Sequence, residues 1–315
     1  MAEKSKEQYY LPPPKLGKWE GFSKFVWDSD SSQFLGRTGA SWAKIFIFYI
    51  IFYAALSGFF AAMLAVFYQT LNTKSPKWRL DESIIGTNPG LGFRPMPPES
   101  NVESTLIWYK GNDENNHKYW TEEIDRFLEE YKKPGLAPNV GQNKVICDYN
   151  NPPADGKVCD VPIKDWRPCT TEDGYNYKKA APCIFLKLNK IFDWMPEFYN
   201  DSSSLPNNMP EDLKNHIENN KKPAELNTVW VSCEGENPAD IEHVGPIQYI
   251  PRRGFPGYYY PFRNYEGYLS PILAVFFERP KTGVLINIEC KAWAKNIHHD
   301  RQERRGSVHF ELMID

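Results

Sequence analysis

From Ile45 to Leu71 the chain carries no charged residue, and Ile, Phe, Leu, Ala and Tyr fill nearly every position. At about 1.5 Å of rise per residue such a run covers a bilayer core of roughly 30 Å, so it predicts a transmembrane helix. A cleavable signal peptide would put a shorter apolar region nearer the terminus, and a buried soluble helix would keep a polar face. Inside the span, Ala54, Gly58 and Ala62 recur every four residues and make a small-residue ridge where another helix can approach closely. Tyr49 and Tyr53, also four apart, share a face. Their hydroxyls need hydrogen-bond partners within the membrane and point to a neighbouring helix.

The pattern on either side is different. Residues 1–44 open with a polar run and Pro12-Pro13-Pro14, which favours extended geometry and argues for a short tail without a folded domain. Residues 72–100 hold Asn88-Pro89-Gly90-Leu91-Gly92 and Pro95-Met96-Pro97-Pro98 and read as an irregular stalk. Thr121, followed by Glu122 and Glu123, predicts a helix start. Ile124, Phe127, Leu128 and Tyr131 form its apolar face, and Pro134-Gly135 stops it. Beyond that the period changes to two. Val229, Val231 and Cys233 alternate with Trp230 and Ser232. Val284, Ile286, Ile288, Cys290 and Ala292 alternate with Asn287, Glu289 and Lys291, and Val308, Phe310, Leu312 and Ile314 make a final strand. Residues 101–315 therefore predict a β-sandwich with one substantial helix. A Cys233–Cys290 bridge across two packed sheets would fit an immunoglobulin-like arrangement, although the sequence alone leaves the pairing of the cysteines open.

Composition sharpens this picture. Mean hydropathy is −0.57 over 315 residues, so the apolarity is concentrated in the one span. All six cysteines, Cys147, Cys159, Cys169, Cys183, Cys233 and Cys290, follow it, which implies disulfides in an oxidising compartment rather than a zinc site. Asn200-Asp201-Ser202, in a Ser/Asn/Pro-rich loop, is the chain's one N-x-S/T sequon without proline. Lysines and arginines flank the span on both sides, with Lys74, Lys77 and Arg79 just after it, so orientation rests on the cysteines and the sequon. They predict a type II single-pass protein: a cytosolic tail over 1–44, a transmembrane helix over 45–71, a stalk over 72–100 and an extracellular domain over 101–315. The tail holds seven Lys/Arg against five Asp/Glu and the whole chain has net charge −3, so neither side is basic enough for nucleic acid.

Three blocks carry a family resemblance. The first runs Phe22-Ser-Lys-Phe25-Val-Trp27-Asp28, then Leu35-Gly36-Arg37-Thr38 and Trp42. The second runs from Pro182-Cys183 to Lys187-Leu188-Asn189-Lys190-Ile191 and departs from vertebrate forms around Cys169. The third joins Trp230-Val231-Ser232-Cys233, Gly254-Phe255-Pro256-Gly257-Tyr258-Tyr259-Tyr260-Pro261-Phe262, Gly267-Tyr268-Leu269-Ser270-Pro271 and Ile286 to Trp293. Together they resemble the β subunits of the sodium/potassium and proton/potassium ATPases. The resemblance implies sequential disulfides, Cys147 with Cys159, Cys169 with Cys183 and Cys233 with Cys290, while the sequon itself predicts a glycan on Asn200. It implies a catalytic α subunit as partner at the plasma membrane, with room for a small single-pass regulatory subunit, and no cofactor. Tyr49, Tyr53, Ala54, Gly58 and Ala62 would meet α within the bilayer. Phe255, Tyr258, Tyr259, Tyr260 and Phe262 would lie at the outer interface or in the core.

The chain shows no P-loop and no D-K-T-G phosphorylation sequence, so the expectation is a non-catalytic subunit supporting folding, delivery and ion affinity. His298-His299-Asp300 reads as a polar loop before the last strand. The rivals are a proton/potassium-pump subunit and a pump-independent cell-adhesion glycoprotein. A type II glycosidase needs paired carboxylates that the sequence does not single out.

Overall fold

The computed structural model describes residues 17–101, 104–111, 113–132, 143–201, 204–300 and 305–315. The chain divides into two compact units, Met1–Asn72 and Thr73–Asp315.

The first unit is not a featureless tail before a span. Helix α1 (Lys18–Val26) has Glu20 in its first turn and Lys24 in its last, each complementing the helix dipole. Three short strands follow, β1 (Trp27–Asp28), β2 (Gln33–Phe34) and β3 (Arg37–Thr38), paired antiparallel in that order. Leu35 and Gly36 both take positive φ, +48° and +73°, which is the geometry of a two-residue hairpin loop and explains the Leu-Gly pair between β2 and β3. The indole of Trp42 donates to the Phe34 carbonyl at 2.8 Å and so ties this meander to helix α2 (Gly39–Gln69). The Pro12-Pro13-Pro14 run lies outside the described residues.

Helix α2 is 31 residues long, about 46 Å at the α-helical rise, and starts six residues before the predicted span. It is long and apolar enough to cross a membrane, with apolar side chains exposed along its length.

The second unit is a sandwich of two sheets. Its strands are β4 (Leu91–Arg94), β5 (Leu106–Tyr109), β6 (Lys144–Val145), β7 (Val158–Cys159), β8 (Cys183–Leu188), β9 (Thr228–Gly235), β10 (Ile247–Ile250), β11 (Gly254–Pro256), β12 (Ile272–Phe277), β13 (Leu285–Trp293) and β14 (Ser307–Ile314). One sheet has the order β10-β12-β8-β4, the other β11-β9-β13-β14-β5, with β5 running parallel to β14. Strands β6 and β7 form a separate parallel pair. Phe93 and Phe277 of the first sheet meet Phe310 of the second at ring separations of 5.0 and 6.2 Å, which marks the inner layer. Ile286, Ile288, Phe310, Leu312 and Ile314 are buried, as the period-two pattern requires.

Other expectations change in the second unit. The stalk is not wholly irregular, because Leu91–Arg94 is an edge strand of the first sheet, with Leu91 and Phe93 buried. The helix predicted from Thr121 is α3 (Glu114–Lys132), and Thr121 sits inside it, its hydroxyl donating to the Lys118 carbonyl at 3.0 Å. The apolar face survives: Ile124, Leu128 and Tyr131 are buried, and Phe127 meets Phe185 across the outer side of the first sheet. Pro134-Gly135 lies outside the described residues. Finally, β9 is buried on both faces. Two further helices, α4 (Glu211–Glu218) and α5 (Pro238–Val244), flank this strand in sequence. Leu213 and Ile217 of α4 join Met209 in covering Trp230 and Trp293 on the outer side of the second sheet. The backbone of α5 comes so close to β9 that a Cβ on Gly235 would lie 2.3 Å from the Asp240 carbonyl carbon, so only glycine fits there.

Candidate partner interface and disulfide framework

Tyr49 and Tyr53 stack on one face of α2, ring centroids 6.0 Å apart with 24° between planes, and both are exposed. Ala54, Gly58 and Ala62 are exposed too, and a Cβ added at Gly58 would meet open space. At about 100° per residue the tyrosine pair and the centre of the small ridge point about 160° apart. The structure therefore does not gather the five residues into one patch. They form two faces, one aromatic and one flat.

The second unit is stapled by bonds between Cys147 and Cys159, Cys169 and Cys183, and Cys233 and Cys290. Cys233 and Cys290 both point into the sandwich, but they do not span it. They are directly opposed on β9 and β13, hydrogen-bonded neighbours in one sheet. Alternation had shown the face each cysteine takes, not the sheet to which its strand belongs.

The aromatic block after β9 divides likewise. Phe255 is fully buried against β9, opposite Val229. Tyr259 is buried and donates its hydroxyl to the Asp160 carbonyl at 2.9 Å, which ties the block to the loop closed by Cys147–Cys159. Burial pushes the Tyr259 phenol far above its ordinary range. Tyr258, Tyr260 and Phe262 are half-buried: Tyr258 meets Tyr149, Tyr260 meets Trp194, and Phe262 lies under the Lys190 ammonium at 5.1 Å. The block is first an internal clamp, with one side left half-buried.

One ionic cluster had no sequence signal. The Asp193 carboxylate accepts from Arg79 and, at 3.0 Å, from Arg263 Nε, so it ties the start of this unit to the end of the aromatic block. Residues so far apart in the chain share no local motif, and only the fold brings them together. His299 of the His298-His299-Asp300 stretch has its ring 4.5 Å from that of Trp293 and its Nε2 2.8 Å from the Ala292 carbonyl. Asn200 is exposed beside Tyr199, which packs against the Trp230–Trp293 cluster, while Ser202 of the sequon lies outside the described residues.

The family model for the sodium/potassium ATPase β chain matches residues 13–310. This chain belongs to that family. It is 59% identical over 311 residues to the sodium/potassium-transporting ATPase subunit beta-2 of Drosophila melanogaster, covering 98% of this chain and 96% of that one. Subunit beta-1 of the same fly is 40% identical over 99% of this chain and 97% of its own length. Human subunit beta-2 is 28% identical, with 94% of each chain covered. The match thus takes in α1, the β1–β3 meander, α2 and nearly all of the sandwich.

Proposed function

We propose that this chain is the non-catalytic β subunit of a sodium/potassium pump, which assembles with the catalytic α chain and supports its folding, delivery to the plasma membrane and ion affinity. The family match over residues 13–310, together with full-length relatives named as sodium/potassium-transporting subunits, carries the reading. In this reading residues 1–44 are cytosolic and residues 72–315 are outside, where disulfides form and Asn200 takes a glycan. Tyr49 and Tyr53 face a helix of the catalytic chain, which supplies the hydroxyls with partners in the bilayer. The β chain changes apparent ion affinity by touching the inward- and outward-open states differently, which shifts their populations by the difference in contact energy.

The test is ouabain-sensitive ATPase activity and surface abundance of a sodium/potassium-pump catalytic chain in cells with and without this one. Both rise if the reading holds. If neither moves while this chain itself reaches the surface, the reading fails.

A further inference from the structure

Helix α1 keeps an apolar side open. At about 100° per residue, Trp19, Phe22, Phe25 and Val26 fall within about 120° of its circumference, and Glu20 and Lys24 lie on the opposite side. Trp19, Phe22 and Phe25 are 84%, 61% and 55% exposed, and no residue of the helix is buried. The helix has 9 residues. One shorter than about 12 is marginal in water on its own, so this one needs a surface for its aromatic side.

Two hydrogen bonds fix where that side stands. The Leu35 N–H donates to the Val26 carbonyl at 3.1 Å and joins the end of α1 to the β2–β3 hairpin. The Phe34 carbonyl of that hairpin accepts from the indole of Trp42, in the first turn of α2, and the two rings lie 6.3 Å apart. The uncharged run begins just beyond, at Ile45. The helix is therefore tethered about one turn from the start of the span, at the level where lipid headgroups meet water and where tryptophan is favoured.

Charge decides what kind of lipid surface is needed. Between Gly17 and Lys44, Lys18, Lys24, Arg37 and Lys44 stand against Glu20, Asp28 and Asp30, and Lys24 pairs with Asp30 at 3.6 Å. So small a surplus gives anionic lipid little to attract, and the aromatic area must do the holding. Lys18 lies within the apolar arc, where its stem can run along the rings while its ammonium stays among the headgroups.

We propose that α1 is an interfacial helix lying in the plane of the bilayer surface, with Trp19, Phe22 and Phe25 immersed among lipid and Glu20 and Lys24 turned to water. Phosphatidylcholine is surface enough. Anchored in this way, α1 holds the start of α2 at a fixed depth. That the leaflet is the cytosolic one rests on the orientation proposed above, whereas the immersion does not.

The test uses the full chain, co-purified with its catalytic partner, in phosphatidylcholine nanodiscs. A fluorescent amino acid encoded by amber suppression replaces Phe22 in one preparation and Lys24 in another, and each is quenched in turn by bromine-bearing lipid and by aqueous iodide. Lipid quenching is expected to be several-fold stronger at position 22 than at 24, with the order reversed for iodide. Phe25→Glu puts a charge into the apolar arc and should move position 22 towards iodide quenching, with the thermal midpoint of the second unit unchanged because α1 lies outside it. Iodide quenching at both positions overturns the proposal. Protection of position 22 from both quenchers also overturns it, and assigns the face to the catalytic chain or to a second copy of this one. Lipid quenching that survives Phe25→Glu, or that appears only when phosphatidylserine is added, overturns the aromatic anchor. Neither quencher reports which leaflet is involved, so a failed orientation would leave these outcomes standing.

Discussion

Cys233 and Cys290 stand directly opposite one another on neighbouring strands of one sheet, with their Cα atoms 4.0 Å apart. The bond closes a sequence separation of 57 residues, against 12 and 14 for the other two bridges. In the loop-closure model this is about 4 kcal/mol, against about 3 for each shorter loop. Replacing each pair in turn with alanine should therefore cost most stability for Cys233→Ala/Cys290→Ala. Urea midpoints of the three double variants check the order, and a smaller loss for this pair than for either other would contradict it.

On the opposite face of the same two strands, the Trp293 indole donates to Ser232 Oγ at 2.8 Å, both residues being buried. Ser232→Ala leaves that N–H buried without an acceptor. The expected loss is about 1–3 kcal/mol, read as a lower thermal midpoint. Ser232→Thr keeps an acceptor oxygen and should recover part of it. An unchanged midpoint for Ser232→Ala would show that the indole finds another acceptor.

These two pairs show how far the sequence could be read. Period-two alternation put Val229, Val231 and Cys233 on one face and Trp230 and Ser232 on the other, and the structure keeps both assignments. Alternation could not show that β9 and β13 are neighbours, because strand order depends on contacts between distant segments. Nor could it show that the Trp230 side is covered, since the short helix Glu211–Glu218 that covers it has only Leu213 and Ile217 as buried apolar residues. On α2 the residue types of both candidate faces were legible. That the two point opposite ways follows from adding the helical angle over the positions between them.

Asp125 on α3 offers a pH test. Burial alone would raise its carboxyl, but hydrogen bonds from Lys132, Tyr175 and Thr171 outweigh burial and hold it below the usual carboxylate range. The Lys132 and Tyr175 contacts are both 2.6 Å. A folded-state value below the unfolded one of about 3.9 adds stability above that pH and loses it as pH falls through the folded value. Asp125→Asn should thus lower the midpoint near neutrality and flatten the decline on acidification. Thermal midpoints from about pH 7 to about pH 2 for both proteins check this. Some acid dependence should persist, because hydrogen bonds from Thr105 and His309 likewise outweigh burial at Glu311 and lower its carboxyl.

The two faces of α2 separate the roles of its residues. If Tyr49 and Tyr53 meet the catalytic chain, Tyr49→Ala/Tyr53→Ala removes two stacked rings and their hydroxyls from that contact and should cut the catalytic chain recovered with this one several-fold. Gly58→Leu adds bulk to the flat face, about 160° away around the helix, and should leave that recovery close to wild type. Tyr49→Phe/Tyr53→Phe keeps the rings and loses only the hydroxyls, so an intermediate yield would apportion the contact between packing and hydrogen bonding. Quantitative co-purification after expression at equal levels checks all three. A loss for Gly58→Leu as large as for the tyrosine pair would mean that the catalytic chain holds α2 from both sides. Loss for Gly58→Leu alone would move the contact to the ridge of Ala54, Gly58 and Ala62, where close backbone approach and not aromatic packing would hold the helices together.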